Sequence, residues 1–263
     1  MLALIAGTGG LPAAVVAECS PAPLVCALQG FEPDTLTPDM MFRLETLGSF
    51  LAELKSRGVT EVCLAGAIRR PPVDPAAIDA ATLPLVPVIQ KALASGDDGA
   101  LRAVIAIFEG AGLQMRAAHE IAPALLPGPG LLSGETTDAD RADAARAAQV
   151  LAALAAQDVG QGCVVAARQV IAVEALPGTD WMLDTLRRYD TKPPGGVLLK
   201  APKAGQDRRA DLPAIGPGTI RNAAAAGLRG VVVEAGGVMV LDRAAVLDEC
   251  ARTGLFLWVR EPG

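Results

Sequence analysis

The chain has 263 residues, a formal net charge of −6 and a composition that is 51% hydrophobic but poor in aromatics, with two Trp, one Tyr and five Phe. That balance excludes the broad basic footprint of a nucleic-acid binder, and so few aromatics exclude a stacking platform for single strands. One histidine excludes any site that needs two, and five cysteines without a CxxC spacing read as free thiols in a reducing compartment. The first residues lack the basic region of a signal peptide, and no apolar run reaches the about 20 residues that a bilayer requires. The expectation is a cytoplasmic protein of two domains.

In chain order, residues 2–6 predict a buried strand, Gly7-Thr8-Gly9-Gly10 a glycine turn, and residues 13–18 a helix with Pro12 suited to its first turn. Strand, glycine turn and helix make a Rossmann-like phosphate loop. The third glycine of the dinucleotide fingerprint is replaced by Pro12, and after the second strand, 23–28, the nearest acid to serve a ribose is Glu32. NAD binding is poorly supported, which places a nucleotide-dependent oxidoreductase behind the other readings. Leu47, Phe50, Leu51 and Leu54 recur at helical spacing over 47–57 and predict a buried stripe. A strand over 59–65 runs into Arg69 and Arg70, cations at the end of a strand where open parallel sheets bind ligands, placed to meet a diphosphate.

Residues 74–93 read as a proline-broken helical segment. Asp97 and Asp98 read as N-caps of a helix over 100–110, with Leu101, Val104, Ile105 and Phe108 as its core stripe. Residues 114–118 read as a strand ending at His119, a structural histidine. Pro127-Gly128-Pro129-Gly130 marks a linker. The expected fold is α/β, with a Rossmann-like parallel-sheet domain over 1–130 and a second α/β domain with a mixed sheet over 131–263. The second domain opens with an alanine-rich helix over 138–156. Runs 163–167 and 170–175 read as a hairpin with Glu174 near its end, and Thr179 or Asp180 as the cap of a helix over 181–189. Gly236 and Gly237 between the runs 230–234 and 238–241 signal another hairpin. A helix over 243–252 and a strand over 256–259 follow.

The chemistry is placed at residues 198–220, LLKAPKAGQDRRADLPAIGPGTI. Too many prolines and glycines stand here for regular structure, and a helix capped by Gly218 or Thr219 closes the stretch. From Asp184 to Asp211 the chain carries seven Lys/Arg and four Asp/Glu, a local +3 within a protein of net −6. Lys200, Lys203, Arg208 and Arg209 beside Gln206, Asp207 and Asp211, delivered to a helix N-terminus, suit a phosphate-bearing substrate.

Six stretches in register carry a resemblance. They are IAGTGGLP at 5–12, GAIRRP at 66–71, SGDDGALR at 95–102, AAQDVGQGCVV at 155–165, VEALPGTDWML at 173–183, and the 198–220 stretch. Together they resemble the UDP-2,3-diacylglucosamine pyrophosphatases of lipid A biosynthesis, of the type unrelated to calcineurin-like metallophosphatases, over nearly the whole chain. The resemblance implies hydrolysis of the pyrophosphate to UMP and 2,3-diacylglucosamine 1-phosphate, Mg²⁺ as cofactor, and water attacking the sugar-side phosphorus. It also implies a homodimer in which domains exchange. Because the substrate is a lipid, a transient contact with the cytoplasmic leaflet of the inner membrane goes with it. An aspartate in the segment resembling QDxRxDLP is then the key carboxylate; Asp207 and Asp211 are the candidates, with Asp211 favoured.

Lys203 and Arg208 are expected to stabilise the developing charge. Substrate contacts are expected at Gly7, Thr8, Gly9, Gly10 and Leu11, and at Arg69, Arg70 and Asp98. In the second half they are expected at Gln161, Thr179, Asp180, Lys200, Gln206 and Thr219. Mg²⁺ needs only one or two protein carboxylates, and Asp211, Asp207 and Glu174 are the candidate ligands. The competing reading is a nucleotide-sugar binding module without catalysis.

Overall fold

The computed structural model describes residues 1–69, 71–94 and 97–262, with Asp97 and Asp98 described by their backbone alone. Contacts divide the chain into two units, Met1–Pro123 with Asp207–Asp211, and Ala124–Gln206 with Leu212–Gly263.

The first unit contains β1 (Leu2–Ala6), α1 (Leu11–Glu18), β2 (Leu24–Leu28), β3 (Met40–Phe42), α2 (Leu47–Ser56), β4 (Glu61–Ala65), α3 (Val86–Ala94), α4 (Asp97–Gly110), β5 (Gln114–Arg116) and α5 (Ala118–Ile121). All five strands are parallel, in the order β3-β2-β1-β4-β5. This is the strand order of a doubly wound nucleotide-binding sheet. β1 and β2 are buried along nearly their whole length, as continuous apolar strands covered on both faces must be. The four residues of the α2 stripe are buried, and Phe50 stacks on Phe42 of β3 with ring centroids 4.1 Å apart. On α4, Ile105 and Phe108 are buried as expected, joined by Ile107, while Leu101 and Val104 are only half-buried. Because α4 begins at Asp97, Asp97 and Asp98 stand in its first turn rather than at the cap.

The second unit contains β6 (Gly130–Ser133), α6 (Asp138–Ala155), β7 (Gly162–Ala166), β8 (Gln169–Val173), α7 (Gly178–Arg187), β9 (Val197–Lys200), β10 (Ala214–Ile215), α8 (Pro217–Ala225), β11 (Gly230–Glu234), β12 (Met239–Val240), α9 (Arg243–Thr253) and β13 (Phe256–Arg260). Its main sheet is mixed, in the order β6-β13-β11-β9-β7-β8. β9, β11 and β13 are parallel, and β6, β7 and β8 run antiparallel to their neighbours. The two-residue period of a strand sorts its side chains onto two faces. Val164, Leu198, Val231, Val233 and Leu257 pack with residues of α7, α8 and α9. Cys163, Val165, Val197, Leu199, Val232 and Phe256 pack with Ala144, Ala147 and Leu151 of α6. Small alanines let α6 approach the sheet closely. Its start is a capping box in which Thr137 Oγ1 accepts from Asp140 N and Asp140 Oδ2 accepts from Thr137 N.

Three sequence expectations are corrected here. β11 and β12 do not form a hairpin: β12 pairs in parallel with β10 in a separate two-stranded sheet. Gly237 serves a close approach instead, since a Cβ there would lie 2.7 Å from the Pro202 ring. Thr179 and Asp180 lie inside the first turn of α7, whose cap position is Pro177. The cap of α8 is Gly216; Thr219 sits three residues later and its Oγ1 accepts from Gly216 N at 3.3 Å.

In the first unit, the loops leaving β1 and β4 are locked together. Thr8 and Ala67 exchange backbone hydrogen bonds of 3.0 and 2.9 Å. Gly66 has φ +90°, and a Cβ on it would lie 2.7 Å from the Gly7 backbone. Gly66→Ala should therefore destabilise the fold by about 1–3 kcal/mol, read as a lowered Tm. An unchanged Tm would show that the two loops tolerate separation.

Candidate active site

The parallel sheet of the first unit delivers its βα loops to one edge, the carboxyl ends of the strands, where such sheets bind ligands. The Gly7–Gly10 turn lies there after β1, followed directly by Leu11 at the start of α1. Arg69 lies there too, exposed, after β4; Arg70 falls outside the described residues, as does the side chain of Asp98. Gly9 takes φ +95°, and its N–H donates to Asp34 Oδ2 at 3.1 Å. Asp34 thus stands beyond β2, in the region where the dinucleotide fingerprint expects an acid and where Glu32 is the nearest in sequence. Glu32 instead accepts from Gly30 N at 3.0 Å. The distance of Asp34 from the end of the strand hid it from a spacing argument.

The segment Asp207–Asp211 belongs to this unit by its contacts. Asp207 Oδ1 accepts from Arg209 N and Nε, each at 3.0 Å, and Oδ2 from Arg209 Nη2 at 2.7 Å. Arg209 reaches on to Glu109 Oε1 at 2.6 Å. These hydrogen bonds from Arg209 hold the Asp207 carboxyl below its ordinary range, against a smaller opposing effect of burial. Arg208 is exposed. Burial and, second, the nearby Arg208 charge lower the affinity of His119 for a proton, and His119 Nδ1 is buried without a hydrogen-bond partner. Asp211 is half-buried, its backbone N–H donating to Asp207 O at 3.3 Å.

In the second unit, two side-chain networks meet at the end of the sheet where β9 finishes and β7 begins. In the first, Gln206 Oε1 accepts from Gln161 Nε2 at 2.9 Å and from the Lys203 backbone N–H at 3.0 Å, while Lys203 Nζ pairs with Asp158. In the second, Lys200 Nζ donates to Thr179 Oγ1 at 2.6 Å, and Thr179 Oγ1 donates to Glu174 Oε1 at 2.9 Å. Glu174 Oε2 lies 3.5 Å from Lys200 Nζ and is buried without a hydrogen-bond partner. The networks are joined by backbone hydrogen bonds from Ala201 N to Gln161 O and from Glu174 N to Gly162 O, at 3.0 and 2.8 Å. Asp180 Oδ1 accepts from Asn222 Nδ2 of α8 at 2.9 Å. Sequence reading missed Asp158, Asn222 and Arg209 as the partners that hold these side chains.

The expected metal ligands differ in what they offer. Asp207 has both oxygens on Arg209, and Glu174 faces a threonine hydroxyl and a lysine ammonium. Among the described residues no three His, Cys, Asp or Glu side chains gather. The donor set therefore does not fit a metal caged by three carboxylates. Mg²⁺ itself needs only one or two protein carboxylates, with water and phosphate oxygens completing the shell.

If Arg209 holds the Asp207 charge, that pair contributes stability at pH values above the ordinary carboxylate pKa of about 4, and the contribution is lost as pH falls through the lowered value. Arg209→Ala should melt below the wild type at pH 7, and the gap should narrow once the pH drops below about 4. A gap independent of pH would show that Arg209 acts by packing.

The chain matches the family models for the LpxI N-terminal domain over residues 1–125 and the LpxI C-terminal domain over residues 128–258. It is also 37% identical over 277 aligned residues to a protein of Caulobacter vibrioides named UDP-2,3-diacylglucosamine pyrophosphatase LpxI, covering 99% of this chain and 98% of that one.

Proposed function

The chain belongs to the LpxI family, and on that premise we propose that it hydrolyses the pyrophosphate of UDP-2,3-diacylglucosamine to UMP and 2,3-diacylglucosamine 1-phosphate in lipid A synthesis. The observation that carries this reading is the end-to-end match to the named pyrophosphatase, 37% identical across 99% of the chain. The chemistry of the residues supports it. Pyrophosphate cleavage needs cations against the charge that builds on the phosphoryl oxygens. Lys200, Lys203 and Arg208 supply such charges, with Lys200 and Lys203 anchored by Thr179 and Asp158.

In this reading Asp211 would hold Mg²⁺, which would supply charge neutralisation at the phosphoryl oxygens. Asp211 also orients the attacking water toward the sugar-side phosphorus. Lys203 and Arg208 are each read as stabilising the charge that develops as the bond to UMP breaks. The glycine turn after β1 lies at the ligand-binding edge of the parallel sheet, with its Gly9 N–H taken by Asp34. Among the described residues no helix is long and apolar enough to cross a membrane. The reading includes a transient contact with the cytoplasmic leaflet of the inner membrane, where the lipid substrate resides, and a homodimer.

Asp211→Asn should lower kcat by at least about 10³-fold, the scale on which removal of key catalytic groups is felt, while substrate binding persists. Wild-type turnover would move the role to Asp207. In ¹⁸O-labelled water the label should enter the sugar phosphate; label in UMP would reverse the direction of attack.

A further inference from the structure

Lys200 ends β9 in the interior of the second unit, with 6% of its side chain exposed. A lysine ammonium this deep needs oxygen partners, because an uncompensated buried charge is strongly unfavourable. The geometry assigns one of its three N–H donors and sets a carboxylate beside the ammonium. One goes to Thr179 Oγ1 at 2.6 Å, and one side of the ammonium faces Glu174 Oε2 at 3.5 Å. Thr179 has its proton committed to Glu174 Oε1 at 2.9 Å, so its oxygen lone pairs are turned to Lys200. Glu174 is fitted to this task by the backbone around it. A Cβ on Gly162 would lie 2.6 Å from Glu174 Oε2, and one on Gly160 would lie 1.9 Å from Glu174 O. The two glycines therefore let the glutamate backbone and carboxylate close over the lysine. The buried Oε2, lacking a hydrogen bond, has the lysine charge as its compensation.

We propose that Glu174 and Thr179 are positioning residues that hold the Lys200 ammonium, with its remaining N–H directed to a phosphoryl oxygen of the substrate, and that Glu174 is not a metal ligand. The assignment rests on the pyrophosphatase reading for the identity of the substrate. The clamp itself is tested by anion binding without metal or turnover. A metal ligand would have its oxygens on the cation; here one oxygen accepts from a threonine hydroxyl and the other faces an ammonium, a charge that repels a divalent ion.

The test uses the full chain and its variants Glu174→Gln, Thr179→Val, Thr179→Ser, Lys200→Met and the double variant Glu174→Gln/Lys200→Met. Inorganic pyrophosphate binding is measured by calorimetry in EDTA. UMP release from UDP-2,3-diacylglucosamine is measured across a Mg²⁺ titration. Glu174→Gln should weaken pyrophosphate binding in EDTA about tenfold and lower kcat/KM by a similar factor, the size expected when one charge-assisted contact is lost. The Mg²⁺ concentration for half-maximal rate should stay unchanged. Thr179→Val should show the same pattern, and Thr179→Ser should recover most of the loss. In the Lys200→Met background, Glu174→Gln should add nothing to either measurement, since it acts only through the lysine.

A tenfold rise in the Mg²⁺ requirement of Glu174→Gln, with pyrophosphate binding in EDTA intact, would overturn the proposal and make Glu174 a metal ligand. Additive losses in the double variant would overturn it as well. If Glu174→Gln fails to fold, the threonine pair decides: equal loss in Thr179→Val and Thr179→Ser contradicts the clamp. Wild-type protein that binds pyrophosphate through this cycle yet releases no UMP would contradict the assigned reaction while leaving the clamp standing.

Discussion

A buried lysine constrains its surroundings more than any apolar residue does. Removing one partner from a buried ion pair costs about 3–5 kcal/mol, because the charge left behind has neither water nor a counter-charge. Lys200 therefore fixes what stands around it: a threonine in the first turn of α7, a glutamate just past β8, and glycines at 160 and 162 that leave room for that glutamate. The loop that follows Lys200 carries Lys203 and Gln206 and is tied to the same sheet end through Gln161. One constraint at the end of β9 thus orders the start of β7, the β8–α7 connection and the first half of the 201–213 loop.

The first unit works on a different principle. Parallel strands send every following loop to one edge, so the glycine turn, Asp34 and Arg69 share that edge, with Gly9 N–H donating to Asp34. The edge is rigid where it matters most, since the turn after β1 is bonded to the loop after β4 through Thr8 and Ala67. The short segment Asp207–Asp211 is anchored in this unit by Arg209, which holds Asp207 with one part of its guanidinium and Glu109 with another. An arginine used this way is a structural fixture.

Much of the fold was legible in the chain because its signals are local. The apolar stretches read at 2–6, 23–28 and 59–65 became the parallel strands β1, β2 and β4, and the stripe Leu47, Phe50, Leu51 and Leu54 gave a buried helix face. What was not legible depends on partners distant in sequence. β3 is three residues long and shows no period; β6 lies in a stretch whose prolines and glycines read as a linker. Gly236 and Gly237 looked like a hairpin turn, but Ala235 N bonds to Arg260 O and keeps β11 aligned with β13, while Gly237 makes room for Pro202. Thr179 matched a capping pattern, yet its hydroxyl serves Glu174 and Lys200 instead. For the candidate site, residue types and positions were readable, but not which oxygen each cation would own. Asp34, Asp158 and Asn222 became visible only when the fold brought them to Gly9, Lys203 and Asp180.

The measurement that tests the account most directly is UMP release from two substrates offered side by side. UDP-2,3-diacylglucosamine in detergent and UDP-N-acetylglucosamine are each incubated with the protein in Mg²⁺ and in EDTA. The account predicts UMP from the diacylated substrate alone, in Mg²⁺ and not in EDTA. UMP from both substrates would contradict the lipid specificity, and none from either, with the protein folded, would contradict the reaction.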